Sequence, residues 1–149
     1  MKRVLLPVGL PGSGKSTEVQ KLVKKASQEG KLALVCSTDD FFVNAQGVYD
    51  FNPRKLTENH ALNFQKFCLA LADGIELVVV DNTNLRAEHR APYIKMAKAL
   101  GYKVELPIIG EFTDSAAETY AKRNLHGVPL EGIKRMANAV DLPTSEEIG

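Results

Sequence analysis

No run of apolar residues in this sequence approaches the roughly 18 that a bilayer span requires, which argues against a membrane-spanning helix. Cysteine is scarce: only Cys36 and Cys68 occur among 149 residues. Both sit in apolar-rich stretches, so they read as buried, reduced thiols rather than a disulfide framework. Charge of either sign in excess is also missing. The formal net charge is +1, which neither demands nor excludes a polyanionic partner. There are no internal repeats, no low-complexity segments and no linker-like stretch. The start, Met1-Lys2-Arg3-Val4, leads directly into a strand-like run that ends at a glycine loop, unlike a signal peptide. These absences lead to the expectation of a cytoplasmic globular protein. The composition, 44% hydrophobic and 25% charged, is ordinary for one, and the length suits a single domain over residues 1–149.

What is present alternates between strand and helix. Val4-Leu5-Leu6-Pro7-Val8 is a short apolar run of the kind covered on both faces. Residues 15–29 carry Val19, Leu22, Val23 and Ala26 at helical spacing, and Gly30 stops that helix. Leu32 to Cys36 is a second buried strand, followed by an irregular stretch over 38–51. Asn52-Pro53 opens a helix predicted to run to Ala72 and to close at Gly74. Leu77 to Asp81 is a third strand that ends in a carboxylate. A basic helix follows over 86–100, with a distortion expected at Pro92. Val104 to Ile109 is a fourth strand, Ser115 and Glu118 have capping-box spacing before a helix over 116–124, and a last helix opens at Pro129. This alternation predicts an α/β fold with a parallel sheet of four to five strands and helices on both faces, a three-layer sandwich of the P-loop NTPase type.

The chemistry begins at Gly9-Leu10-Pro11-Gly12-Ser13-Gly14-Lys15-Ser16-Thr17, placed between a strand and a helix. Glycine at 12 and 14 lets backbone N–H groups approach phosphate where a Cβ would obstruct, and the helix opening near Lys15 adds its positive dipole end. The pattern predicts that Gly12, Ser13 and Gly14 cradle the phosphates of ATP. Lys15 would reach the β- and γ-phosphates, Ser16 would supply a hydroxyl to Mg²⁺, and Thr17 would face the α-phosphate.

Asp39-Asp40 follow the second strand by two residues, where ligands bind in open parallel sheets. Asp39 is the candidate base for a phosphoryl-accepting hydroxyl, with Asp40 a supporting partner; the bland alternative is a carboxylate that caps the loop. Asp81 is placed to orient Mg²⁺-bound water. Thr83 and Asn84 either position substrate or cap the next helix. Arg123, in a candidate lid over about 122–130, either closes on ATP or is a solvated helix charge. His126 beside Gly127 reads as a loop-ordering group, and Arg135 either meets phosphate or an acidic neighbour.

Four blocks, taken together and in order, resemble the 5′-hydroxyl polynucleotide kinases of the phage type and the polynucleotide-kinase-like domains of ubiquitin-ligase-binding proteins. The blocks are Val8 to Thr17, Ser37-Thr38-Asp39-Asp40 with Phe41-Phe42, Asp81-Asn82-Thr83-Asn84-Leu85, and Lys122-Arg123-Asn124 with His126-Gly127-Val128-Pro129. The resemblance covers residues 2–143. It implies transfer of the γ-phosphate of ATP to a 5′-hydroxyl of DNA or RNA, with Lys15 and Ser16 on ATP–Mg²⁺, Asp39 as base and Arg123 acting from the lid. There are two departures. The phage type has an arginine that contacts nucleic-acid phosphate where this chain has Phe41-Phe42, an aromatic pair suited to stacking on a base. It also has a second lid arginine near the position of His126.

The expected function is therefore a polynucleotide 5′-hydroxyl kinase with a nucleic-acid partner. Arg86, Arg90, Lys95 and Lys98 outnumber Glu88 on the basic helix, which is either a phosphate-contacting face, with Arg86 on the substrate, or a solvated one. Two alternatives stay open: a kinase for a small hydroxylated acceptor such as a nucleoside or sugar, and an ATP-binding interaction module without turnover. No Asn-Lys-x-Asp string is present, so a GTPase switch is not indicated.

Overall fold

A computed structural model describes residues 1–124 and 127–149. Strands β1 (Arg3–Leu5), β2 (Ala33–Cys36), β3 (Leu77–Val80) and β4 (Lys103–Glu105) form one sheet in the order β2-β3-β1-β4. All three pairings are parallel, with Val4 opposite both Val78 and Val104, and Leu34 opposite Val78. The helices are α1 (Lys15–Gln28), α2 (Leu56–Ala72), α3 (Ala87–Ala99), α4 (Asp114–Arg123), α5 (Leu130–Asn138) and the short α6 (Ser145–Ile148). The expected α/β class and parallel sheet are what forms, with four strands among the described residues.

Side-chain alternation along the strands assigns the helices to faces. Val4, Leu6, Val78, Val80 and Val104 point to one side, where Phe67 and Leu71 of α2 and Ile94 and Ala97 of α3 complete a core. Leu5, Leu77 and Val79 point to the other, against Val19 and Ala26 of α1. Near β4 that second face turns polar: Arg3 Nη2 lies 2.9 Å from Glu105 Oε2. A third cluster joins Val8 and Leu10, at the entry to the glycine loop, to Ala117 and Tyr120 of α4 and Ile133 of α5. The neighbours β1 and β3 send their following helices to opposite faces, so a crevice opens beyond their carboxyl ends.

Several local expectations shift. The strands are shorter than their apolar runs; beyond β1 and β4 the chains meet again at a Val8–Ile108 bridge. The cap of α4 is Thr113, whose hydroxyl accepts from the Ala116 N–H at 3.0 Å, not Ser115. The capping box is at Thr144 and Glu147 of α6. Cys36 is buried, and Cys68 only half so. Burial pushes the Cys36 thiol up to about 11, which keeps it protonated and unreactive at neutral pH.

The largest departure is Arg90. Its sequence neighbours place it on a basic surface, yet its relative exposure is 0%, so it cannot be a phosphate-contacting group. Its Nε and Nη2 donate to the two Glu147 carboxylate oxygens at 2.7 and 3.0 Å. Its Nη1 donates to the carbonyls of Asn84 and Asp141 at 2.8 and 2.9 Å. The guanidinium therefore ties the C-terminal segment to the loop after β3. Removing one partner of such a pair leaves an uncompensated buried charge. Arg90→Met should lower unfolding free energy by about 3–5 kcal/mol, read as a fall in the urea midpoint. The Arg90 hydrogen bond, first, holds the Glu147 carboxyl below its ordinary value. Its stabilisation is present above the ordinary carboxylate pKa and lost as pH falls through the lowered one. Glu147→Gln should therefore flatten part of the acid side of the stability–pH curve.

Candidate functional site

The glycine loop spans the end of β1 and the start of α1. Gly12 and Gly14 have φ of 79° and 93°, in the left-handed region. At Gly12 the demand is doubled, because a Cβ would collide with the backbone carbonyl of Tyr120 on α4. Gly14 occupies the N-cap of α1 without a side-chain cap. The first N–H groups of the helix are thus left to face an anion, reinforced by the helix dipole. Ser13 Oγ is buried and has no protein partner, a polar atom suited to a ligand oxygen. Ser16 and Thr17 are exposed on the first turn of α1. This backbone fits a nucleotide's phosphates: a close cradle, uncapped donors and an orphaned hydroxyl in one loop.

Lys15 and Asp81 meet across the crevice, with Nζ 2.6 Å from Oδ1 and side chains 11% and 14% exposed. The loop after β3 fastens the rest. The Thr83 carbonyl accepts from the Gly9 N–H at 3.2 Å, and Asn82 Oδ1 accepts from the Thr38 N–H at 3.0 Å. Asn84 corrects an expectation. It is 4% exposed with φ 54°, and its amide donates to the carbonyls of Pro7, Val80 and Asn82 at 2.9, 2.9 and 3.0 Å. That amide is turned inward and is neither a substrate contact nor a helix cap; the N-cap of α3 is Arg86. Thr83 is half-buried.

Asp39 sits in a 3₁₀ turn over Thr38–Phe42, directly beyond β2. The Tyr49 hydroxyl donates to its Oδ1 at 3.5 Å. Burial first, and then Asp39, push the Tyr49 phenol above its ordinary pKa. Asp40 is exposed. Two residues unmarked by sequence reasoning join this region. His60 of α2 places Nδ1 3.1 Å from Thr38 Oγ1. Its imidazole is held below its ordinary pKa by burial first and then by the charge of His89 on α3, while Asp39 pulls the other way. A histidine in the polar stripe of an amphipathic helix carries no local signal of this. The aromatic pair divides: Phe42 is 4% exposed and packs on Phe51, ring centroids 5.0 Å apart, so only the half-buried Phe41 remains for stacking.

Arg123 ends α4, its guanidinium carbon 5.2 Å from the centroid of the Tyr120 ring. Since the Tyr120 carbonyl abuts Gly12, Arg123 lies one helical turn from a residue that touches the phosphate loop. Arg86 is paired to Asp141, Nε to Oδ2 3.1 Å, with both side chains nearly half exposed. Arg135 lines an open hollow between α4 and α5 with Asp114, Glu131 and Lys134. His126 lies outside the described residues. Among the described residues no helix is long and apolar enough to cross a membrane.

Comparison with known proteins places this geometry. NEDD4-binding protein 2 of Homo sapiens is 34% identical over 128 residues, covering 86% of this chain. The chain spans only 7% of that relative's length. APS kinase CysC of Mycobacterium tuberculosis, solved with AMPPNP and APS, is 27% identical with a TM-score of 0.55, covering 72% of this chain and 61% of that one. A chain of the Pnkp1/Rnl/Hen1 RNA repair complex aligns at a TM-score of 0.69 and 14% identity, over 93% of this chain and 43% of that one. The fold is thus that of P-loop kinases. The model of one family, described as an AAA domain, matches residues 4–143, and the chain belongs to that family.

Proposed function

We propose that the chain is an ATP-dependent kinase that transfers the γ-phosphate to the 5′-hydroxyl of a polynucleotide, DNA or RNA. The observation that carries the proposal is the convergence of an uncapped, glycine-formed phosphate cradle with carboxylates from two neighbouring strands. Lys15 is paired to Asp81, and the Asp39 turn is tied to the adjoining Asn82. This arrangement suits in-line phosphoryl transfer, where positioning and charge stabilisation carry most of the catalysis.

In the proposed mechanism the loop N–H groups and Lys15 hold the β- and γ-phosphates. Asp39 accepts the proton of the acceptor hydroxyl as its oxygen bonds to the γ-phosphorus and the bond to the ADP oxygen breaks. Arg123 faces the charge spread over the transferring oxygens. Ser16 and Asp81 are the residues that would hold Mg²⁺, which neutralises phosphate charge when bound. Among the described residues no three His, Cys, Asp or Glu side chains group to hold a metal unaided, so the phosphates would complete its coordination. The fold shared with a chain of an RNA repair complex is compatible with a polynucleotide acceptor.

A second reading, a kinase for a small hydroxylated acceptor, is favoured by one observation. The basic helix loses Arg90 to the interior, which leaves Arg86, Lys95 and Lys98 as exposed cations there. The APS kinase resemblance points the same way.

Three measurements test these assignments. Lys15→Ala should abolish transfer; near wild-type turnover at saturating ATP would remove the phosphate loop from the chemistry. Asp39→Asn keeps shape but takes no proton and should lower kcat by about 10²–10⁴-fold. A loss no larger than that of Asp40→Asn would dismiss Asp39 as the base. For the acceptor, KM for a 5′-hydroxyl oligonucleotide should rise between low and moderate salt, and Arg86→Ala should flatten that rise while KM for ATP changes little. Labelling of a nucleoside with no labelling of any oligonucleotide would transfer the assignment to the small-acceptor reading.

A further inference from the structure

We propose that Tyr49 is a positioning residue for the candidate base: its hydroxyl fixes the orientation of the Asp39 carboxylate so that Oδ2 takes the proton of the acceptor hydroxyl. The inference rests on the kinase reading above and deepens it, giving a role at the same site to a residue that carries no motif.

The backbone around Asp39 is held from several sides. The Thr38 N–H donates to Asn82 Oδ1 at 3.0 Å, and the Phe41 carbonyl accepts from the Asn59 amide of α2 at 3.2 Å. The Asp40 N–H closes the turn on the Ser37 carbonyl at 3.1 Å. These bonds place the Asp39 main chain but do not set its side-chain torsions. A base must lie within hydrogen-bond reach of the proton it takes, so those torsions decide whether the carboxylate can act. The Tyr49 hydroxyl, donating to Oδ1 at 3.5 Å, restrains them. That separation is at the long end for an O–H···O bond, and catalytic contacts of this kind tighten when substrate binds.

Tyr49 is itself a fixed point. The chain after the Asp39 turn, irregular by its sequence, doubles back as a small hairpin in which Val43 bridges antiparallel to Tyr49. Asn44 shapes the tip: its Oδ1 accepts from the Gln46 and Val48 N–H groups at 3.0 Å each, and its carbonyl accepts from the Gly47 N–H at 2.9 Å. The Asp50 N–H returns to the Phe42 carbonyl at 2.7 Å. The Tyr49 ring meets the ring of the buried Phe42 edge-on, centroids 6.4 Å apart. A tyrosine held by backbone and ring together has little freedom to lose in holding a carboxylate. Its phenol also stays a donor. Burial first, and then the charge of Asp39 and the bond to it, push the phenol above its ordinary pKa, so it keeps its proton at neutral pH. In the transfer step the acceptor's proton goes to Asp39 Oδ2 as the acceptor oxygen bonds to the γ-phosphorus and the bond to the ADP oxygen breaks. The phenol gains and loses nothing.

The contact and the role are tested separately, both on the full chain. For the contact, the protein carries ¹³Cζ-labelled tyrosine, and the resonance missing from Tyr49→Phe identifies Tyr49 among the four tyrosines. Its phenol is titrated with alkali, without any turnover. The Tyr49 pKa should fall in Asp39→Asn, which removes the neighbouring charge, and stay where it is in Asp40→Asn. No fall in Asp39→Asn, or an equal one in Asp40→Asn, overturns the contact and the proposal with it. For the role, transfer is followed from ATP to a 5′-hydroxyl oligonucleotide, or to a nucleoside where only that is labelled. Tyr49→Phe keeps the ring on Phe42 and should lower kcat about tenfold, while KM for ATP and for the acceptor changes little. Val48→Ala alters an exposed side chain of the same hairpin, keeps the phenol and should leave kcat as it is. With Asp39→Asn already in place, Tyr49→Phe should have no further effect, because a positioning residue acts only through the group it positions. Full additivity of those two substitutions, or an equal loss from Val48→Ala, assigns the effect to the hairpin and overturns the role. So does a wild-type kcat in Tyr49→Phe, and in that case the kinase reading stands. If wild type labels neither acceptor, the kinase reading falls and the positioning role falls with it, whatever the titration gives.

Discussion

One amide holds the crevice together. The Asn84 side chain donates to carbonyls at the ends of β1 and β3 and within its own loop, from a left-handed backbone that few non-glycine residues adopt. Asparagine tolerates that conformation, and its short amide reaches three backbone carbonyls. The loop so fixed registers the phosphate loop and the Asp39 turn. Asp81 meets Lys15, Asn82 receives the Thr38 N–H, and Thr83 receives the Gly9 N–H. Phosphoryl transfer tolerates little misplacement between donor and acceptor groups, and here two segments distant in sequence, the glycine loop and the Thr38 turn, take their spacing from one short turn.

The turn is braced from outside as well. Arg90 donates to the Asn84 carbonyl while both Glu147 oxygens accept from it, so the C-terminal segment bears on the crevice without contributing a group to it. A guanidinium suits this place: it is planar, stays charged and presents donors in several directions at once. A lysine could reach one of these acceptors and would leave the others buried and unpaired.

The fold was legible because its signals are local and repeated. Apolar runs such as Leu77-Val78-Val79-Val80, helix-spaced Val19 and Ala26, and glycine at 30, 74 and 101 each report on a few neighbours. The phosphate loop was legible for the same reason, since Gly12 and Gly14 are demanded by backbone shape. What escaped depends on partners far along the chain. Arg90 looks like its neighbours Arg86 and Lys95 until acceptors from residues 84, 141 and 147 converge on it. His60 acquires meaning only when α2 lies beside the Thr38 turn, a separation of 22 residues. Thr113 displaced Ser115 as a cap because both residue types can serve and only the backbone's entry angle decides. Phe41 and Phe42, adjacent in sequence, part company because one of two consecutive aromatics must turn to the Phe51 and Tyr49 rings.

The phosphate loop also leans on α4. Tyr120 approaches Gly12 with its carbonyl, and its hydroxyl lies where a Cβ on Gly110 would stand while accepting the Glu111 N–H at 3.0 Å. The glycines at 12 and 110 are thus two sockets for one tyrosine, and both lie in the left-handed region that a side chain would strain. Close-packed contacts of this kind shift together or not at all. Arg123 rests on the same tyrosine's ring, so its distance from the phosphate loop is set through Tyr120 rather than by a free helix end. An arginine held in this way has less rotamer freedom to lose on meeting an anion than one on an open surface, so the Tyr120 ring would preorganise Arg123 for the phosphate contact proposed for it.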